Sequence, residues 1–247
     1  MRTLKPELLY EDNDILIWKK PAGLAVQTAR ITEKDLEAIA LAHVSAGGAS
    51  EDASGGKRSA SGGGYDSSGA APYVGIIHRL DQPVEGIVLM AKAKEAAAKL
   101  SASFNERTTE KKYLALTRGS LPEDSGTLTD FLLKGKNNLS SIVKEGTPGA
   151  KKASLSYRLV QDSVLHPAFP GEVLSLYEIT LHTGRHHQIR VQLAGNGCPI
   201  AGDGKYGPTS GGKGAIAPLC LCAASLSFTH PSTGERMNFK VTPGWLP

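Results

Sequence analysis

Three stretches carry the side chains with chemical reach: "GIIHRLDQPVEGIVLMAKA" at 75–93, "KKYLALTRG" at 111–119 and "TGRHHQIRVQLAGNGCPIAGDGKYG" at 183–207. The first sets a charged knot, His78-Arg79-Leu80-Asp81, between two apolar runs that read as strands. An Asp in that place is either a turn residue bonding its own backbone or a prepared anion, since a neighbouring cation such as Arg79 favours the charged form of a carboxylate. The second alternates like a strand, with Tyr113, Ala115 and Thr117 on one face and Leu114 and Leu116 on the other. The third gathers Arg185, His186, His187 and Arg190. On regular backbone the adjacent His186 and His187 point apart, so no shared ligand is expected of them.

Other chemistries fail on their own requirements. "GPTSGGKG" at 207–214 fits the first seven places of a phosphate-binding loop, but Gly214 stands where Ser or Thr should hold magnesium. Pro218 also blocks the helix whose N-terminus would face the phosphate. No nucleotide cofactor is expected. A nucleophile elbow of the G-x-S-x-G kind does not occur. Cys198, Cys220 and Cys222 are an odd number and lack the second Cys pair that a zinc site wants, so neither metal nor disulfides are expected.

The elements that must position these residues follow from periodicity. "LLYEDNDILIWKKPAGLAV" reads as strand, acidic turn, strand and a Pro21–Gly23 bend. "TEKDLEAIALAHV" reads as a helix with a capping-box spacing from Thr32 to Asp35 and His43 at its rim. Residues 45–70 hold 15 Gly or Ser in 26 and predict a long flexible loop. "KAKEAAAKLSASFNER" is a helix by propensity and by the Leu100–Phe104 spacing. Alternating runs at 153–160 and 173–183 predict strands, "HQIRVQLAGNG" a helix stopped at Gly195, and "LCLCAASLSFTHPSTGERMNFKV" two strands around a turn from Pro231 to Gly234. Strands outnumber helices, so the expected class is α+β on a large mixed, mainly antiparallel sheet flanked by a few helices.

At 247 residues the chain is long enough for one sizeable core. The net charge of +4 allows a polyanionic partner without demanding one. The basic pairs Lys19-Lys20, Lys111-Lys112 and Lys151-Lys152 sit beside loop punctuation, where charges are ordinarily solvated surface. No apolar run approaches the ~20 residues of a membrane span, and no secretory leader is evident, so a cytoplasmic protein is expected.

In this order and spacing the three stretches resemble the RluA-type RNA pseudouridine synthases, as do "LYEDNDILIWKKPAGLAVQT" and "SLSFTHPSTGERMNF" near the two ends. The resemblance covers about Leu8 to Phe239 and is looser between 118 and 172. It implies one catalytic domain over 1–247, with no separate RNA-binding domain ahead of it, working without a cofactor and as a monomer. It implies isomerisation of uridine to pseudouridine in ribosomal or transfer RNA. Asp81 then matches the family's essential aspartate, Tyr113 its active-site tyrosine and Arg190 the basic residue paired with that aspartate. Ile189 falls near the uracil and Arg79 where an arginine fills the gap left by a flipped base. His78, Arg185 and His187 are expected on the substrate side. Val84-Glu85 replaces the Thr-Ser that many members carry before Gly86. Two other readings stand beside this one: a catalytically silent RNA-binding relative, and a hydrolase using Asp81 on another glycosidic bond.

Overall fold

The computed structural model describes residues 4–29, 33–47, 71–106, 108–208 and 218–246. These carry eleven strands and three helices, an α+β fold with a large mixed sheet. Residues 48–70, within the expected Gly/Ser loop, Thr32, and 209–217, which hold most of the phosphate-loop look-alike, lie outside the described residues. The chain divides into two compact units, Met1–Gln82 with Gly86–Thr109 and Ser227–Asn238, and Pro83–Glu85 with Glu110–Leu226 and Phe239–Pro247.

In the first unit β1 (Glu7–Glu11) and β2 (Ile15–Lys20) form the expected hairpin, closed by Asp12, whose carboxylate accepts from the backbone N–H groups of Asp14 and Ile15. β2 runs antiparallel to β4 (Glu85–Ala91), and the two-residue β3 (Gly75–Ile76) also pairs with β4. Ile15, Leu16 and Ile17 are all at 0 % exposure, which explains an unbroken apolar run where a half-buried strand would alternate. Each such side chain contributes about 1.5–3 kcal/mol by leaving water.

Two helices complete this unit. α1 (Leu36–Ser45) starts at Asp35, whose side chain accepts from Ala38 N–H and so satisfies one of the orphan donors of the first turn. α2 (Lys94–Asn105) buries Ala96 and Leu100.

The second unit strings β5 (Glu110–Arg118), β9 (Leu174–Leu181), β8 (Lys151–Val164), β6 (Ser125–Lys134) and β7 (Ser140–Val143) side by side, with every resolved pairing antiparallel. Along β8, Ala153, Leu155 and Tyr157 are buried, whereas Ser154 and Ser156 bond Thr129 and Thr127 across the strands. That alternation gives one apolar and one wet face. α3 (Gln188–Gly195) packs Val191 against Leu132 and Ala153. Its end comes later than expected: Gly195 is still helical, Asn196 is the C-cap, and Gly197 takes the positive φ of 77° that closes the helix.

β10 (Leu221–Thr229) and β11 (Arg236–Lys240) are the expected tail pair, turned through Gly234 at φ 74°.

Candidate active site

Asp81 lies half-buried in the loop 77–84 that joins β3 to β4, so the charged knot is a connection between two paired strands. Both ends of the loop are pinned within the first unit. On the near side His78 Nε2 accepts from Leu89 N–H at 3.2 Å, which fixes the proton on Nδ1, and the ring stacks on Phe104 at 5.1 Å. On the far side the Gln82 carbonyl accepts from Gly23 N–H at 2.8 Å and from Lys20 Nζ at 3.1 Å, and the Gln82 amide donates to Gly23 O at 3.0 Å. Between them Leu80 is buried and Arg79 exposed.

Lys20 departs from the solvated-surface expectation. It is fully buried, and its ammonium donates to the carbonyls of Pro21, Leu24 and Gln82. A charge is tolerated in the interior only when its hydrogen bonds are supplied, and here the Pro21–Gly23 bend and the Asp81 loop supply them. The cation therefore ties two segments that are 62 residues apart in sequence.

The second unit holds Tyr113, Arg185, His187, Ile189 and Arg190. Tyr113 sits in β5 opposite Ile179 and is buried to 8 % exposure. The segment before α3 is folded around one side chain: Gln188 Oε1 accepts from Thr183 Oγ1 and Arg185 N–H, while its Nε2 donates to Ser154 O. Arg185 Nε donates to Lys152 O at 3.0 Å. This arrangement explains how a helix with buried Gln188 and Arg190 is tolerated, because each finds partners; Gln192 is satisfied on one side only, its Nε2 donating to Asp130 at 2.7 Å while its buried Oε1 has no hydrogen-bond partner among the described residues.

His186 and His187 do not point apart. His187 takes a left-handed φ of 54°, so the backbone there is not regular and the two rings stack at 3.8 Å. Tyr206 Oη accepts from Ser140 N–H at 2.7 Å and is hydrogen-bonded with His187 Nδ1, also at 2.7 Å. Ile189 and Arg190, the next residues but one and two, are both buried.

Arg190 meets a residue that sequence reasoning did not single out. Its Nε and Nη2 donate to Asp203 Oδ2 and Oδ1 at 2.8 and 2.7 Å, with side-chain exposures of 4 % and 0 %. Burial alone would raise the Asp203 pKa. The guanidinium and the backbone N–H groups of Lys205 and Tyr206 outweigh it and hold the carboxyl below the usual carboxylate range. The signal was present as "GDGKYG", an Asp framed by glycines, but its partner lies 13 residues back on a helix.

Competing sites are weak. Among the described residues Asp12, Asp14 and His230 bring ligand atoms within 4.8 Å of one another. His230 Nδ1, however, accepts from Ser232 and Thr233 N–H, so Nε2 carries the proton and donates to Asp12 at 2.9 Å. That nitrogen has no lone pair for a metal. Cys220 is buried, and desolvation with the nearby Glu85 charge pushes its thiol up to about 12, far from a thiolate at neutral pH.

Residues 14–195 match the RNA pseudouridylate synthase family. The chain is 31 % identical over 229 residues to an uncharacterized RNA pseudouridine synthase, YhcT, of Bacillus subtilis, covering 93 % of this chain and 66 % of that protein. It is 30 % identical over 248 residues to the ribosomal large subunit pseudouridine synthase C of Vibrio vulnificus, covering 98 % and 67 %. The chain thus spans about two thirds of the length of these relatives. In fold it is similar to human RNA pseudouridylate synthase domain containing 1, with a TM-score of 0.71 at 22 % identity, over 99 % of this chain and 86 % of that one.

Proposed function

Because the chain belongs to the RNA pseudouridylate synthase family, an isomerase family, we propose that it converts uridines of ribosomal or transfer RNA to pseudouridine with Asp81 as the catalytic carboxylate. Support for an RNA of the ribosome comes from the relative named for the large subunit. The observation that carries the reading is the Asp81 loop, whose carboxylate is half-buried on a main chain tied down on both sides. Such a fixed anion costs little reorganisation when it meets a reacting carbon.

Uracil is detached from its sugar, turned, and rejoined through carbon 5. Asp81 either attacks the anomeric carbon or takes a proton from the sugar, and both routes need its charge. Arg190 is the cation assigned to stabilise that negative charge, and Tyr113 the group that stacks on the ring and takes the carbon-5 proton at the end, directly or through water. Ile189 lines the uracil side, with Arg185, His187 and His78 on the RNA side. The target must first be extruded from the stack, at a cost of about a few kcal/mol, and the exposed Arg79 occupies the vacated place. The reaction is redox-neutral and needs no cofactor; we assign it to a monomer in the cytoplasm.

The test is tritium release from RNA labelled at carbon 5 of uridine. Asp81→Asn keeps the shape and loses the charge, so turnover should vanish while the circular dichroism spectrum and melting temperature stay put. Activity within about tenfold of wild type, a loss of only ~1.4 kcal/mol, would remove Asp81 from the mechanism.

A further inference from the structure

The loop that follows α3 is stitched to β5 and to the helix by separate ties. Arg118 N–H donates to Pro199 O, Ala201 N–H to Leu116 O, and Thr117 bridges Ile200, so residues 199–201 run as an extension beside the strand that carries Tyr113. The chain then turns at Asp203, where Gly207 N–H closes on Asp203 O at 2.9 Å. A Cβ on Gly207 would lie 2.6 Å from that oxygen, so the turn admits only glycine there without moving. Inside the turn Asp203 Oδ1 already accepts from Lys205 and Tyr206 N–H at 2.9 and 3.2 Å. The carboxylate is therefore oriented by its own loop and presents both oxygens to Arg190.

Tyr206 adds the other half of a clamp. Its ring lies 5.3 Å from the Arg190 guanidinium carbon, and its hydroxyl is fixed between Ser140 N–H and His187 Nδ1. The guanidinium is thus gripped in its plane by a bidentate carboxylate and flanked by an aromatic ring. A cation needed for packing alone would not call for a fork of this rigidity in a site at 4 % and 0 % exposure, where a well-packed apolar pair is as stable.

We propose that Asp203 is a positioning residue: through its bidentate bonds, and with Tyr206 against the ring side, it holds the Arg190 guanidinium in the one orientation that serves the reacting carboxylate. This rests on the assignment of Arg190 to catalysis and extends it to a residue that touches neither substrate nor reacting atoms. It also makes Arg190 a shared cation, half neutralised before RNA arrives. Removing the Asp203 charge leaves a stronger positive field around Arg190, which favours the ionised form of a neighbouring carboxylate.

The experiment measures single-turnover tritium release and RNA affinity from pH 5 to 9, with large-subunit ribosomal RNA transcribed in vitro and labelled at carbon 5 as the probe. It compares wild type, Asp203→Asn, Asp203→Glu, Arg190→Lys and the double variant Asp203→Asn/Arg190→Lys. Expected for Asp203→Asn is a rate loss of about tenfold or more with affinity held within about threefold, and an acid limb displaced to lower pH. Asp203→Glu should recover part of the rate. In the Arg190→Lys background the Asp203→Asn change should cost almost nothing further, since it acts through the guanidinium. A folded Asp203→Asn with wild-type rate and pH profile overturns the proposal, as does full additivity in the cycle. If Asp203→Asn does not fold, Asp203→Ser, a smaller side chain without the carboxylate, decides: a wild-type rate there overturns the proposal equally. A nitrogen-proton correlation spectrum supplies a readout independent of turnover, in which the Arg190 Nε–H signal, protected in wild type, is lost in the Asp203 variant; its persistence counts against the clamp. Wild-type protein that isomerises no uridine overturns the functional reading instead, while that signal still reports on Asp203.

Discussion

Lys20 and Asp81 show how much at the residue scale depends on partners distant in sequence. Replacing Lys20 by Met removes an ammonium of fitting shape and leaves the Pro21, Leu24 and Gln82 carbonyls to lose their donor. The expected loss is on the order of 3 kcal/mol in urea unfolding, because buried acceptors stripped of a partner keep their desolvation cost. Turnover should fall with it, since Gln82 follows Asp81; a stability loss below about 1 kcal/mol would show that water replaces the ammonium. Arg79 is expected to behave differently, being exposed beside a tied-down loop. Arg79→Ala should slow single turnover on a hairpin target and leave a flexible single strand nearly unaffected, where extrusion costs least. Equal losses on both would replace gap filling with phosphate binding. Asp81, Tyr113 and Arg190 could be singled out as candidates because each sits inside a local motif. Lys20 and Asp203 were not, because the partners that define them lie at positions 82 and 190, and a pairing across such gaps leaves no spacing to read.

Elements were legible where one periodicity ran uninterrupted. Both hairpins of the tail and entrance, and the helix rich in Ala and Lys, appear where alternation or propensity put them. β6 and β7 escaped because Gly126, Asp130 and Lys134 interrupt the apolar pattern of one strand, and the other is only four residues long. α3 was found by Ile189 and Leu193, yet its burial was not, since a helix buried from Gln188 to Leu193 carries three polar residues that only tertiary partners make tolerable. The start of α1 moved from the expected Thr32 to Asp35, and the reason sets a prediction. Asp35 Oδ1 caps Ala38 N–H, and Oδ2 accepts from Thr28 N–H, so one carboxylate holds both the helix and the segment leading into it. Asp35→Ala should cost about 1–2 kcal/mol, in the upper part of the ordinary N-cap range. Chemical unfolding checks it, and a cost of a few tenths would mean that the second bond contributes nothing.

At the scale of the whole molecule, ionised carboxylates bind the structure at several remote points. Burial would raise the pKa of Glu11, but bonds from His43 and Lys92 outweigh it, and Asp12 is likewise held down by its turn N–H groups, Tyr10 and His230. Arg118 lowers Glu172 in the same sense. A carboxyl whose folded pKa lies below its unfolded one, about 4, stabilises the protein above that pH and loses the contribution as pH falls through the folded value. The melting temperature should therefore drop steeply below about pH 4, and Glu11→Gln should remove part of that dependence. A melting temperature unchanged down to pH 3 would show that these ties contribute no net stability. The division of the chain has a further consequence for how the protein is made. The first unit draws on Ser227–Asn238 and the second on Phe239–Pro247, so neither is continuous in sequence. A ribosome that has reached residue 220 has completed neither unit: Asp12 is still waiting for His230, and the Glu85 carboxylate for the N–H of Gly244. The nascent chain must therefore keep its apolar β2 and β4 runs from aggregating until the segment from Ser227 onward has been made.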